Sequence, residues 1–291
     1  MSAREAGQRP GRTLDVEILA IDGTARSRKD DAVVTEEPLE LRFTAGSSSR
    51  VLGVTMRTPG NDFELAAGFA FGEGIVCGRD ALAAVDYCLD PAVEAAQRYN
   101  VVNVTLARPD LPAVARLDRH FVSTSACGVC GRAQLDSLRE RGIAPLDDAT
   151  AVSAETIYSL PERMRAAQRV FASTGGLHAA ALFDASGELL ALREDVGRHN
   201  AVDKIVGWAL MGDRLPLRAT VLMVSGRAGY EIVQKAAVAR IPIVCSVSAP
   251  SSLAVELARE FEITLAGFVR GSRANVYSAS ARILSGGPER S

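Results

Sequence analysis

The chain is poor in the residues that build metal centres and disulfide frameworks, with three histidines and five cysteines among 291 residues. A closed zinc site needs four ligands, and neither a second Cys-x-x-Cys nor a paired histidine motif accompanies the single Cys-x-x-Cys present. A zinc deaminase requires His-x-Glu and a proline directly before its cysteine pair. No histidine here has glutamate two residues on, and position 126 is alanine. No stretch approaches the ~20 apolar residues of a membrane helix, and the polar residues 1–12 lack the apolar segment of a signal peptide. An odd cysteine count without a secretion signal points to a reducing, cytoplasmic compartment. The formal net charge of −2 argues against a general nucleic-acid binder. There is no internal repeat and no low-complexity tract.

What is present falls into two rhythms, in a chain long enough for one large domain or two ordinary ones. Residues 1–12 predict a disordered tail. Residues 14–21 alternate as a strand does, and residues 26–31 read as an exposed charged loop. Residues 38–43 and 51–56 predict a hairpin around Gly46-Ser47-Ser48-Ser49. Asn61 and Asp62 are placed to cap a helix through Phe63, Leu65, Ala66, Phe69 and Ala70, and residues 99–106 read as a strand. Residues 13–118 therefore predict a mixed α+β lobe rich in antiparallel strands, followed by a cysteine-bearing loop, 119–135. In residues 136–285 a hairpin (178–183 with 188–192) precedes a helix over 199–211. Strands at 220–224, 241–247 and 263–269 then alternate with helices at 229–239 and 251–260. That alternation implies parallel strands with crossover helices, an open α/β layer.

Three groups of residues carry chemistry. The first is Ser123-Thr124-Ser125-Ala126-Cys127-Gly128-Val129-Cys130-Gly131-Arg132, whose two thiols are placed to share a metal, close a small disulfide or carry sulfur. The other cysteines, Cys77, Cys88 and Cys245, are scattered. Helical periodicity over 132–141 puts the motif just before a helix N-terminus, which together with Arg132 favours the thiolate. Cys127, the first of the pair, is the candidate nucleophile and Cys130 an assisting group. The second is Leu192-Arg193-Glu194-Asp195-Val196-Gly197-Arg198-His199-Asn200-Ala201-Val202-Asp203-Lys204, unusually polar for a strand-to-helix junction. It reads either as a ligand site, with Asp195 and His199 in contact with the ligand, or as ion pairs and caps holding the junction. The third is a set of loops after successive strands: Ser225, Gly226 and Arg227, then residues 246–252, then Arg270, Gly271, Ser272 and Arg273. Carboxyl ends of parallel strands, glycine turns and arginines suit a phosphorylated or nucleotide ligand, although the turns match neither a Walker loop nor a dinucleotide fingerprint. Ordinary tight connections are the alternative. His178, after Gly175-Gly176, reads as a strand histidine more easily than as a ligand, and Trp208 as core.

Taken together these motifs resemble the formate dehydrogenase accessory sulfurtransferase (FdhD) family. The likeness spans about residues 33–280. It rests on Thr124-Ser125-Ala126-Cys127-Gly128-Val129-Cys130-Gly131, residues 173–180, 193–204 and 225–229, and Ala249-Pro250-Ser251-Ser252 with residues 267–277. Ala126 stands where the family often has another serine. The resemblance implies a mixed β-rich N-terminal lobe and a cytidine-deaminase-like α/β C-terminal domain without zinc. It further implies an enzyme, a sulfurtransferase that takes persulfide sulfur from a cysteine desulfurase on Cys127. The sulfur would pass to the molybdenum bis(molybdopterin guanine dinucleotide) cofactor, bound as substrate and needed for formate dehydrogenase activity. The guanine nucleotide would lie on the stretch Phe268, Val269, Arg270, Gly271, Ser272 and Arg273, and the protein would be a homodimer with no nucleic-acid or membrane partner. Two rivals stay open: a cofactor-binding chaperone without sulfur turnover, and a dithiol oxidoreductase.

Overall fold

The computed structural model describes residues 9–88, 90, 92–111, 136 and 138–285. Cys127, Cys130 and His120, with the whole of the expected cysteine loop and most of the expected tail, lie outside the described residues. Among the described residues no helix is long and apolar enough to cross a membrane.

The chain opens with a two-stranded antiparallel ribbon, β1 (Thr13–Asp22) and β2 (Ala25–Val34), turning at Gly23 (φ 57°). The charged run 26–31, expected to be a loop, lies inside β2. The ribbon is exposed over most of its length, so backbone pairing alone fixes the strand and no apolar face is required of it. Strands β3 (Glu37–Ala45) and β4 (Ser48–Arg57) form the expected hairpin, and β5 (Leu82–Tyr87) and β6 (Val101–Leu106) complete a sheet of order β4-β3-β6-β5. Period-two alternation puts Leu39, Leu41, Phe43 and Ala45 on one buried face. Helix α1 (Asp62–Gly72) buries Leu65, Ala66, Ala67 and Ala70 in the same core. Asn61 does precede α1, but in a left-handed conformation (φ 59°) without a side-chain cap. Its Oδ1 instead accepts from Arg12 Nη2 at 2.6 Å.

The second sheet has the order β13-β12-β11-β10-β8-β9. Its strands are β8 (His178–Asp184), β9 (Leu189–Asp195), β10 (Thr220–Val224), β11 (Ile243–Ser246), β12 (Thr264–Arg270) and β13 (Arg273–Ser278). Only β10, β11 and β12 are mutually parallel. These are the three strands expected to be parallel, and β8–β9 is the expected hairpin; β12–β13 is a second hairpin that was not expected, and the short connections of both leave no length for a crossover. Helices α4 (Arg198–Met211), α5 (Tyr230–Ala239) and α6 (Ser252–Glu260) share one core with Leu182, Leu222, Val244 and Leu265. The opposite face packs Ala181, Phe183, Val221 and Met223 against α2 (Ala154–Ala167), which Ser153 caps through Thr156 N–H at 3.1 Å. A short α3 (Arg169–Thr174) follows. The strands β7 (Val152–Ser153) and β14 (Ile283–Leu284) pair beside the start of α2.

The core that contains α4, α5 and α6 also contains Leu39, Phe43 and α1, so the first lobe and the α/β layer are packed as one body. Helices α1 and α4 meet where both carry glycine. A Cβ on Gly68 would stand 1.9 Å from the Asp203 carbonyl oxygen, and one on Gly207 1.8 Å from that of Glu64. Only glycine permits this approach. The seam is also polar: Arg193 donates Nε to Glu64 Oε2 (2.5 Å) and Nη2 to Oε1 (2.6 Å). This fork-on-fork pairing fixes orientation as well as distance.

Candidate functional site

Three parallel strands point their carboxyl ends at one edge of the sheet, and the antiparallel hairpin brings His178 and Asp195, paired in register, to the same edge. The turns there are tied to each other. Ser225 Oγ accepts from Ala179 N–H at 2.8 Å. The fully buried Ser246 hydroxyl lies 2.7 Å from the Gly226 carbonyl and accepts from Ser248 N–H at 3.0 Å. Gly226 lets the His178 ring lie against the turn, since a Cβ would come within 3.2 Å of its Nδ1. Gly267 likewise admits Pro250 and the Ser248 carbonyl, at 3.0 and 3.1 Å from a Cβ built there.

The β12–β13 hairpin shows what the sequence-expected stretch does. A register shift between Gly267 and Arg270 is accommodated by Phe268 in the left-handed region (φ 54°), with its N–H donated to Ser248 O at 3.1 Å. An aromatic residue there is strained, by about 1–2 kcal/mol, and Phe268 is 38 % exposed. Arg270 and Arg273 face each other across the hairpin, both exposed, around Gly271 and Ser272. Like charges directly opposite repel, so an anion between them would relieve the hairpin. Val269 departs from its expected place in a binding stretch: it is fully buried among Ile157, Ile243 and Ala266, because it faces the side of the sheet opposite Phe268.

Asp195 is the larger correction. It is completely buried, and both carboxylate oxygens are occupied. Oδ1 accepts from Gly197 N–H (2.8 Å) and Asn200 Nδ2 (2.9 Å), while Oδ2 accepts from Lys204 Nζ (2.6 Å) and Thr58 N–H (3.3 Å). Lys204, 1 % exposed, also donates to the Thr58 carbonyl at 3.0 Å, and Asn200 Nδ2 to that of Met56 at 2.8 Å. Burial pulls the Lys204 ammonium below its ordinary range, against the opposing pull of Asp195. Of the two readings of the junction, ligand site or caps and ion pairs, this geometry is the second for Asp195. The carboxylate starts α4 and stitches it to β4 and the loop after it.

The first turn of α4 faces the edge differently. His199 Nδ1 lies 3.0 Å from Glu231 Oε2, at the start of α5. The His199 imidazole hydrogen bond holds the Glu231 carboxyl down, at about 2 against burial. Arg198 runs past Gly226, and its buried Nε has no partner among the described residues. Burial, then Arg198 and His199, lower the pKa of His178 and favour its neutral form. Arg227 is exposed on the turn before α5. Sequence reasoning missed His178 and Arg198 as edge residues. The available signal was the pair Gly175-Gly176 before one and the strand-to-helix position of the other. Among the described residues no group of His, Cys, Asp and Glu is arranged to hold a metal ion.

The described residues thus form an open α/β layer whose arginines and glycine turns gather at one carboxyl edge, the side on which such sheets bind ligands. The family model described as FdhD/NarQ matches residues 34–284. A sulfur carrier protein FdhD from Mycolicibacterium paratuberculosis is 50 % identical over 260 residues, covering 88 % of this chain and 93 % of the relative. Another from Streptomyces avermitilis is 50 % identical over 268 residues, covering 91 % and 94 %. A crystal structure described as a formate dehydrogenase accessory protein, from Desulfotalea psychrophila, superposes with a TM-score of 0.72 at 26 % identity, over 94 % of this chain and all of that one. The chain belongs to the FdhD/NarQ family.

Proposed function

We propose that this protein is a sulfur carrier in formate dehydrogenase maturation, a sulfurtransferase that loads Cys127 from a cysteine desulfurase and passes the sulfur to the molybdenum bis(molybdopterin guanine dinucleotide) cofactor as its substrate. The sulfur-carrier role is supported by the names of relatives half identical to this chain and by the lone Cys-x-x-Cys. The observation that carries the nucleotide side is the convergence of Arg270 and Arg273, Arg198 with its uncommitted Nε, and the Ser225, Gly226, Arg227 turn at one sheet edge. The α5 N-terminus adds backbone N–H groups that lack intrahelical acceptors.

The proposed transfer begins with the Cys127 thiolate attacking the outer sulfur of the desulfurase persulfide. One S–S bond forms as another breaks, the desulfurase thiolate leaves, and the proton stays on the carried sulfur. In the second transfer the S–S bond breaks with its electron pair left on the Cys127 thiolate, the proton on the outer sulfur is released to solvent, and the acceptor metal of the substrate supplies the two electrons that make that sulfur sulfide. Cys130 assists, and Phe268 with the two hairpin arginines holds a guanine nucleotide end of the cargo. Production of the chain in a host deleted for its own family member tests the whole reading. Wild type should restore formate dehydrogenase activity and Cys127→Ala should not; full restoration by Cys127→Ala would remove the persulfide role.

A further inference from the structure

In the proposed second transfer the cargo is held at the carboxyl edge, so the proton of the outer sulfur is freed there. A group that accepts it must be a base with an uncommitted lone pair. Asp195 is excluded, since both of its oxygens are taken by donors. The Glu231 carboxyl, held at about 2, is too weak a base. Two histidines remain. His199 lies in the first turn of α4 and Glu231 in the first turn of α5, helices that both start at this edge. Its Nδ1 stands 3.0 Å from Glu231 Oε2, and the imidazole is 33 % exposed. An ionised carboxylate only accepts, so the neutral ring carries its proton on Nδ1 and its lone pair on Nε2. Nε2 has no hydrogen-bond partner among the described residues. A carboxylate fixes the tautomer of a histidine base in this way. His178 has no such support: its cross-strand neighbour is the committed Asp195, and its ring packs on the Gly226 turn.

Resting on the sulfur-carrier reading above, we infer that His199 is the base that takes the proton from the outer sulfur of the Cys127 persulfide, with Glu231 as the positioning residue that keeps the lone pair on Nε2. The S–H bond breaks with its electron pair left on sulfur, and an N–H bond forms at Nε2. The S–S bond breaks onto the Cys127 sulfur, while the acceptor supplies the electron pair of the new bond. The imidazolium so formed is paired at once with Glu231 and returns its proton to solvent through the exposed side of the ring. The charged and titratable groups around it are Glu231 and Lys235 on α5, Arg198 and Asp203 on α4, and His178 on β8. Lys235 is paired with Asp203 at 2.7 Å, so Glu231 is the counter-charge that the imidazolium meets.

Cyanide is the probe, because it takes the outer sulfur of a persulfide as thiocyanate, supplies the electron pair itself and frees the same proton. Wild type, His199→Gln and Glu231→Gln are treated with a cysteine desulfurase and cysteine, and the sulfur loaded on each is counted by intact mass. Thiocyanate release per loaded sulfur is then followed in single turnover from mildly acidic to mildly alkaline pH. Near neutral pH His199→Gln should be slower than wild type by about a hundredfold, the lower end of what a positioned base contributes, and Glu231→Gln should lie between the two. The advantage of wild type should vanish toward acid pH, where a protonated ring accepts nothing. Taking the ratio at each pH cancels the ionisation of cyanide itself. A purely structural role would slow release equally at every pH. Equal rates for wild type and His199→Gln, or a difference independent of pH, would overturn the inference alone. An acid limb that persists in His199→Gln would assign the proton to His178 and overturn it as well. A wild-type protein that loads no sulfur would remove the sulfur-carrier reading, and the role of His199 with it.

Discussion

Replacing Gly68 by alanine probes the packing that joins the two halves of the molecule. In a solvent-exposed helix the change would stabilise by about 1 kcal/mol through helix propensity. Here the new methyl would stand 1.9 Å from the Asp203 carbonyl oxygen and 2.8 Å from Gly207 N, all backbone atoms of α4. Ordinary carbon–oxygen contact requires about 1.5 Å more separation, and no rotamer change supplies it. The helices must part, loosening the Glu64–Arg193 fork and the buried Asp203–Lys235 pair at 2.7 Å. Overpacking of this kind costs about 1–3 kcal/mol, and more where backbone must move. The net loss after the propensity gain is about 2 kcal/mol, which lowers the melting temperature of a domain this size by about 4–8 °C. Gly207→Ala should behave alike, and the double variant should lose less than the sum, since helices already parted have room for the second methyl. Differential scanning calorimetry of the three variants measures this. A Gly68→Ala protein as stable as wild type, or more so, would refute the close crossing.

Lys204→Met leaves the Asp195 carboxylate buried without its cation and should cost about 3–5 kcal/mol; urea denaturation showing a loss under 1 kcal/mol would contradict the role given to this pair. Glu231, held at about 2 by His199, contributes stability that is complete above its ordinary value of 4.5 and lost as pH falls from there toward 2. Melting curves of wild type and Glu231→Gln should therefore converge with falling pH in that window, and parallel curves would argue against the His199–Glu231 contact. Arg270→Ala and Arg273→Ala should each weaken GDP about tenfold at the hairpin, as for a lost charged hydrogen bond, and affinities equal to wild type at both sites would move the phosphates elsewhere.

The sequence showed most clearly those elements in which one residue pattern meets one environment. The β3–β4 alternation faces a core on one side only, and the buried runs of β10, β11 and β12 are covered on both. The ribbon strand at 26–31 was hidden because its residues are charged and exposed, and pairing its backbone with β1 requires no apolar alternation there. Helix α2 was hidden because Pro161 lies inside it, and proline normally ends a helical reading. The place of Ser225, Gly226, Arg227, Arg270 and Arg273 at the carboxyl edge was legible, because parallel strands put the turns that follow them on the same side of the sheet. The fate of Asp195 was not, since a capping carboxylate and a ligand-binding one have the same letter and the same position. What separated them was Lys204, nine residues on, folding back beneath it. The Gly68–Gly207 crossing belonged to neither helix alone.

The central claim is tested most directly by intact mass after incubating the protein with a cysteine desulfurase and cysteine, beside Cys127→Ala. Wild type should gain one sulfur atom that a reducing agent removes, and the variant should gain none. A wild-type protein that gains no sulfur, or a variant that gains as much as wild type, would contradict a persulfide carried on Cys127.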